Sequence, residues 1–556
     1  MGKKNSISFC TSRPQKRFES SVDRCPRCQG LLKVEKSRDR RLVTVDSDEQ
    51  VTEIVKYCPV DGLRFGAESL RRLTPVRSPY SYGLLARIGR FRFSKHFQIG
   101  EIQLEISRFG PCIPRSTLQR LCVRFLRYFI AVHLESFSLF ADFIRGNGGY
   151  VLQIDGSQNH GRGTLLLVKD MLSGFRLFAA RFPSENKDDL VVLLWYLKRV
   201  FGVPLVAIRD GGRGFIQALE EVFPETYQVY CHFHFLRALG QALFGYYYKR
   251  FKKMLRDVGV KGELRGLYRK VCKMRDSGQN VFVSDVLGEL MLLLRYVLKY
   301  KGEALGYPFE LRDVCFYEKC LEIERSVHDL VMCCAERNVY VKVLCDVKKT
   351  LFLLHPPPQM RGRLRKDAER LRDRKEWFDM AREALRWRNG PVPLSTQIRW
   401  NDRDLQKARR GIADFFSKLK EERVNKDCSP SLRRGLKIIE DRFVKYETHL
   451  LVPNIKVDAK DGGKVVELER TNNGVEVDFR ACRRHVRRLQ GNKNVEEVIQ
   501  REGVGLSLLL NMNVSEYVRM LYGSWESMGK RFSEVSEESL ERADLLLKGY
   551  NPWWAQ

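Results

Sequence analysis

The hydrophobic pattern changes period several times along the chain, and those changes divide it. Residues 1–22 are polar and basic without periodicity, which predicts a disordered arm. Residues 23–75 combine a Val-rich polar stretch with two Cys-Pro turns and predict a small β-rich module. From Gln98 to about Ile130 apolar positions recur at helical spacing. EIQLEISRFG ends at Gly110, and PCIPRSTLQRLCVRFLRYF restarts with Ser116 as N-cap and Leu118, Leu121, Val123 and Phe125 supplying apolar contacts. YVLQIDGS, GTLLLVKDM and FRLFAARF then read as three short strands separated by Gly, Ser and Asn turns. DDLVVLLWYLKRV predicts a helix, PLVAIRDGG a buried strand, GFIQALEEVF a helix, ETYQVYC a fifth strand, and HFHFLRALGQALFG another helix. Over 241–465 strand signals nearly vanish, predicting an all-α region with proline breaks near 356–358 and 391–393. A turn at Gly462–Gly463, a helix opening at TNNGVEVDFR and a helical tail ending in NPWWAQ complete the chain. The expected segments are 1–22, 23–75, 76–148, 149–240, 241–465, 466–500 and 501–556.

Charge changes this picture more than composition does. Hydrophobic residues are 44% and charged residues 30%, ordinary for a globular chain of about three or four domains at roughly 150 residues each. Lys+Arg 99 against Asp+Glu 68 leaves +31, an excess that favours a polyanionic partner. No apolar run approaches the roughly 18 residues needed to span a bilayer, so a membrane partner is not expected. MGKKNSISFC lacks the apolar core of a secretory signal. It does fit the loose M-G-x-x-x-S myristoylation pattern through Gly2 and Ser6, which is common by chance. The expected location is the cytoplasm or nucleoid of a prokaryote, or the nucleus of a eukaryote, with no secretion. Fifteen irregularly spaced cysteines favour reduced thiols and one metal cluster over a disulfide scaffold.

Candidate chemistry sits in three places. Cys25-Pro-Arg-Cys28 and Cys58-Pro-Val-Asp61 are two facing turns of the kind that suits one structural zinc ion. The second is incomplete: Asp61 stands in the fourth position, Cys10 is an alternative thiolate, and a knuckle without metal stays open. The helices around Gly110 fit a helix-turn-helix, with Arg115, Thr117, Gln119 and Arg120 in the first turns of the second helix, or any helical hairpin. The net charge favours DNA. Third, Asp155 and Asp210 close buried strands, and Glu476 opens a helix. A buried carboxylate is costly without a cation, and several on one sheet edge suit divalent metal.

Three strands followed by alternating helix and strand indicate a mixed sheet in an α/β layer, in the order found in the ribonuclease-H-like fold. With QIDGSQ, RDGGRGFIQALEEVFPETYQVYCHFH and RTNNGVEVDFR, the chain resembles Mutator-like and related bacterial and archaeal DDE transposases of insertion sequences. The likeness covers roughly 149–240 and 466–490. It implies that Asp155, Asp210 and Glu476 hold two Mg²⁺ or Mn²⁺ ions. It implies a C-x2-H element at Cys231 and His234, and an all-α insertion over 241–465. The activity implied is metal-dependent strand cleavage at element ends and strand transfer into target DNA. The partners implied are terminal repeats, target DNA and a second copy or more on DNA. Two other functions remain: a metal-dependent nuclease or resolvase of the same fold, and a domesticated non-catalytic DNA-binding protein.

The helix around Glu476 has two faces. Val475, Phe479, Cys482, Val486 and Leu489 fall at i, i+4, i+7, i+11 and i+14, an apolar stripe. Glu476, Arg480, Arg483 and Arg487 form the neighbouring stripe, directing three guanidinium groups to DNA phosphates or to solvent. Trp377, Trp387 and Trp400 lie amid arginines and suit either base stacking or a core.

Overall fold

A computed structural model describes residues 16–158, 163–275, 280–299, 305–355, 358–387, 399–459, 462–491 and 495–549. It is a mixed α/β protein with two compact units. The first takes the chain up to Tyr227, then Lys456–Val465, then everything from Asn472 on; the second takes Gln228–Ile455 and Val466–Thr471.

The first unit opens with a small sheet: β1 (Lys16–Glu19), β2 (Lys33–Val43), β3 (Asp48–Tyr57) and β4 (Arg64–Phe65). β3 is the hub, pairing parallel with β1 and antiparallel with β2 and β4. Lys16–Glu19 is therefore ordered, against the arm expected over 1–22, because pairing with Val51–Ile54 supplies its backbone partners. Residues 1–15 lie outside the described residues.

The main sheet contains β5 (Val151–Gln158), β6 (Thr164–Asp170), β7 (Arg176–Phe182), β8 (Val206–Arg209) and β9 (Tyr227–Tyr230), in the order β7-β6-β5-β8-β9. β5 runs antiparallel to β6 and parallel to β8, with Gln153 opposite Ile208. The chain passes from the first unit to the second within β9. β6 is buried along its whole length, its apolar run Leu165–Val168 flanked by buried Thr164, Lys169 and Asp170.

The helices Tyr82–Gly89, Arg115–Glu135 and Phe137–Gly146, and the C-terminal helices Val495–Leu509 and Glu537–Lys548, share one hydrophobic core with this sheet. Phe125, Phe129, Leu165, Phe178, Val504 and Tyr517 lie in it. The segments expected over 76–148 and 501–556 are thus packed together rather than apart. His133 is fully buried there, 2.9 Å from the Tyr517 hydroxyl and 3.0 Å from the Leu177 carbonyl. Burial pushes its pKa down to about 4.

The second unit is helical, from His232–Val258 through Pro430–Leu450, with its own core around Phe235, Leu287, Leu344, Phe378 and Phe415. Trp387 and Trp400 are buried in that core and the half-buried Trp377 packs against it, which is the core reading of the two. Part of the basic excess is spent internally: buried Asp367 pairs with Arg250 and Arg370, and buried Arg374 donates to the Leu243 and Ser431 carbonyls. Pro358 opens the helix Pro358–Ala384; the breaks expected at 356–357 and 391–393 lie outside the described residues. Gly462–Gly463 is not a turn but the start of β11 (Gly462–Val466), which pairs with β10 (Ile455–Ala459). NPWWAQ lies outside the described residues. No described helix is long and apolar enough to cross a membrane.

Candidate functional site

The strand register brings two carboxylates to one level. Extending the parallel pairing of Gln153 with Ile208 by two residues sets Asp155 of β5 beside Asp210, which follows β8. Asp155 is buried, and burial followed by the carboxylates of Asp210 and Glu476, with Glu185 as a smaller contributor, raises its pKa well above the usual range. Against these, the Gly156 N–H donates to its Oδ1 at 2.9 Å. Asp210 Oδ1 accepts from the Gly212 N–H at 2.9 Å.

Glu476 arrives from a remote segment and is held there by its neighbours. Asn472 donates its side-chain amide to the Ile154 carbonyl at 2.8 Å, fixing the start of the helix Asn473–Gln490 next to Asp155. Two residues beyond Glu476, buried Asp478 accepts a fork from Arg176 at 2.9 and 2.6 Å and faces Lys169 at 3.4 Å. This ion pair anchors the helix to β6 and β7. The apolar stripe is as expected: Val475, Phe479, Cys482 and Val486 are buried, with Leu489 at its margin.

A fourth acid escaped the sequence reading. Glu185, half-buried between β7 and the helix Lys187–Phe201, has its pKa raised by burial and by Asp210. A Cβ at position 156 would collide with its carboxylate, and one at 214 with its carbonyl. The glycine after Asp155 is therefore a close-approach glycine. That D-G pair was the available signal, but it does not say which side chain approaches.

The cysteine cluster is more closed. Cys25, Cys28, Cys58 and Asp61 bring one ligand atom each within 4.8 Å of one another, and no other group of three or more does so among the described residues. This set could hold a metal ion such as zinc. Its two turns are built alike. The Cys25 N–H donates to the Gly30 carbonyl and the Cys58 N–H to the Leu63 carbonyl, both at 2.8 Å. The Gln29 and Gly62 N–H groups return to the Cys25 and Cys58 carbonyls. Gln29 and Gly62 share a left-handed backbone, φ 61° and 66°. Asp61 thus occupies the place in its turn that Cys28 occupies in the other. Through its side-chain hydrogen bond Asp61 pushes Cys28 up to about 12, a conflict a cation would resolve. Cys10 lies outside the described residues.

The expected DNA contacts are mixed. The helix Arg115–Glu135 begins two residues earlier than expected, after Pro114, so Ser116 is not its N-cap. Pro114 fixes the entry but offers no side-chain acceptor. The connector 108–114 is longer than a tight helix-turn-helix turn of about three or four residues. Arg115, Gln119 and Arg120 are exposed and Thr117 half-buried. Arg115 donates to Gln103 at 3.2 Å and Arg120 to Thr117 at 3.1 Å. Val123 is 42% exposed rather than core, because the buried face follows Leu118, Leu121, Cys122 and Phe125. On the Glu476 helix, Arg480 donates to the Glu476 carbonyl and Arg483 to the Ser157 hydroxyl; Arg487 is exposed.

In the second unit, Cys231 is buried at the start of the helix His232–Val258, with His234 half-buried one turn on. His232 is the deeper imidazole. Its Nε2 donates to the Leu450 carbonyl at 3.0 Å, its ring packs 5.0 Å from that of Trp400, and burial with nearby Arg470 pushes it down to about 3. No protein-family model matches the chain, and no curated protein matches it.

Proposed function

We propose that the protein is a DNA transposase that cleaves at element ends and joins them to target DNA, using a ribonuclease-H-like catalytic core. The observation that carries this reading is the convergence of Asp155, Asp210 and Glu476, three acids remote in sequence: after burial, the carboxylates of Asp210 and Glu476 are what raise the pKa of Asp155. The strand order β7-β6-β5-β8-β9 supports the fold. The helical stretch 228–455 supports an insertion between the last strand and the Glu476 helix.

Asp155, Asp210 and Glu476 would hold two Mg²⁺ or Mn²⁺ ions, with Glu185 alongside. Hard carboxylate oxygens suit these cations. Their spread beyond a single-ion cluster suits a two-ion site, whose ions lie about 3.5–4 Å apart. Such ions, when bound, activate an attacking oxygen and stabilise a leaving one. The chain's part is to hold the carboxylates: Asn472 and the Asp478–Arg176 pair keep Glu476 beside Asp155. A zinc-bound N-terminal module and exposed Arg115, Gln119, Arg120 and Arg487 would engage the terminal repeats.

The test is to incubate the full chain with Mg²⁺, a duplex carrying the sequences that flank its gene, and a supercoiled target. Joined products are expected. Cleavage without joining assigns a nuclease, and binding without either assigns a non-catalytic DNA-binding protein.

A further inference from the structure

A cavity of about 240 Å³ lies in the first unit on another side of the Glu476 helix. One wall is this helix, with Arg484, His485 and Arg488; another is the segment carrying Phe93 and His96; Leu509 and Trp525 belong to the C-terminal region. No acidic residue lines it among the described residues. His96 and His485 meet Nδ1 to Nδ1 at 2.6 Å, with Phe93 stacked on His485 at 5.7 Å. One of those nitrogens must donate and the other accept. His485 is 8% exposed, and its other ring nitrogen, Nε2, is buried with no hydrogen-bond partner. Burial, His96, Arg92 and Arg488 push His485 down to about 3, so its ring is neutral. Arg484 and Arg488 are exposed and have no ion-pair partner among the described residues.

A metal does not fit this arrangement. Two nitrogens on one tetrahedral zinc stand about 3.3 Å apart, and two guanidinium groups repel a cation. An anion fits. With His485 Nδ1 accepting from His96, His485 Nε2 carries a proton and wants an acceptor. Two guanidinium groups and an imidazole N–H offer more donors than a carboxylate's two oxygens use, which favours a phosphate monoester. Leu506, Leu509, Met512 and Trp525 add an apolar, aromatic lining, suited to a planar ring against Trp525.

We infer that this cavity binds a mononucleotide unit, with its phosphate at Arg484, Arg488 and His485 and its base against Trp525. The unit is either a free nucleotide or the 5′-phosphorylated end of a DNA strand. The site is separate from the carboxylates and does not depend on the activity proposed for them. Calorimetric titration of the full chain with dAMP tests it. Saturable binding is expected, weakened about tenfold or more by R484A/R488A, as loss of charge-assisted hydrogen bonds implies. Both arginines are exposed, and an unchanged melting temperature shows that the fold survives. Absence of dAMP binding at millimolar concentration overturns the inference, as does equal affinity in the double variant. Inorganic phosphate binding as tightly as dAMP overturns the role of the aromatic wall. A short 5′-phosphorylated oligonucleotide that displaces dAMP supports a strand end as the ligand; one that does not, with dAMP still bound, supports a free nucleotide.

Discussion

The two clusters of candidate metal ligands are built on opposite plans. Cys25, Cys28, Cys58 and Asp61 come from two turns with matching hydrogen bonds, and their ligand atoms are gathered within 4.8 Å. Asp155, Asp210 and Glu476 come from two strand ends and a remote helix, and they repel one another without gathering so tightly. Closed sets with four protein ligands are structural, whereas catalytic sets stay open to substrate. The first cluster gains stability when filled. The second carries a standing electrostatic cost, which bound cations would offset.

The largest effect that separates the two belongs to the open cluster. Asp155→Ala, Asp210→Ala and Glu476→Ala are each expected to lower strand cleavage on the order of 10³-fold or more, with DNA binding largely kept. Gel analysis of cleaved and bound DNA checks this, and near-native cleavage by any one variant removes that residue from the site. In the closed cluster, Cys25→Ser is expected to abolish the single zinc equivalent and expose 16–67 to protease. Asp61→Cys should keep the metal and tighten it, since thiolate is the softer ligand. Metal analysis and limited proteolysis read both, and a zinc-free wild-type chain with an ordered module would falsify the structural role.

How much of this was legible in the sequence follows the same division. Both knuckle turns were readable, because their ligands lie a few residues apart and their geometry is local. The five strands were readable from short apolar runs bounded by turn residues, and Asp155, Asp210 and Glu476 from their places at strand ends and a helix start. Partners that meet only through tertiary packing were not. Glu185 sits in an unremarkable connector, Asp478 meets Arg176 across the fold, and His485 reaches His96 from far along the chain. Val123 reads as core because a 3.6 period does not fix which edge of an apolar stripe is covered. Lys16–Glu19 looked like arm because its pairing partner lies beyond Asp48.

Glu185 sharpens the comparison at intermediate size. Glu185→Gln keeps the shape but removes a charge facing Asp155 and Asp210. Cleavage is expected to fall about 10- to 100-fold and to require more Mg²⁺. A metal titration of the rate checks this. A variant with unchanged rate and unchanged Mg²⁺ dependence would leave Glu185 as a packing residue beside Gly156.

The smallest effect is one of stability, and it distinguishes strain from support. In the metal-free protein Asp155 has its pKa raised by burial and by Asp210 and Glu476. The folded state therefore holds that proton at pH values where the unfolded chain, near 3.8, has released it. Stability attributable to Asp155 is fully present below the unfolded value. It is lost as pH rises toward and through the raised one, so at neutral pH Asp155 works against folding. Asp155→Asn is expected to raise the metal-free melting temperature by a few degrees at neutral pH and to leave it nearly unchanged at low pH. Adding Mg²⁺ should stabilise the wild type more than the variant, because the cation offsets a repulsion that the variant no longer has. Thermal unfolding across pH, with and without Mg²⁺, reads all of these shifts. A chelator should have no such effect on the acids but should melt the N-terminal module, where the bound metal is the support. If Asp155→Asn destabilises the metal-free protein at neutral pH, the buried carboxylate is compensated from within the chain, and the contrast between a strained open cluster and a stabilising closed one fails.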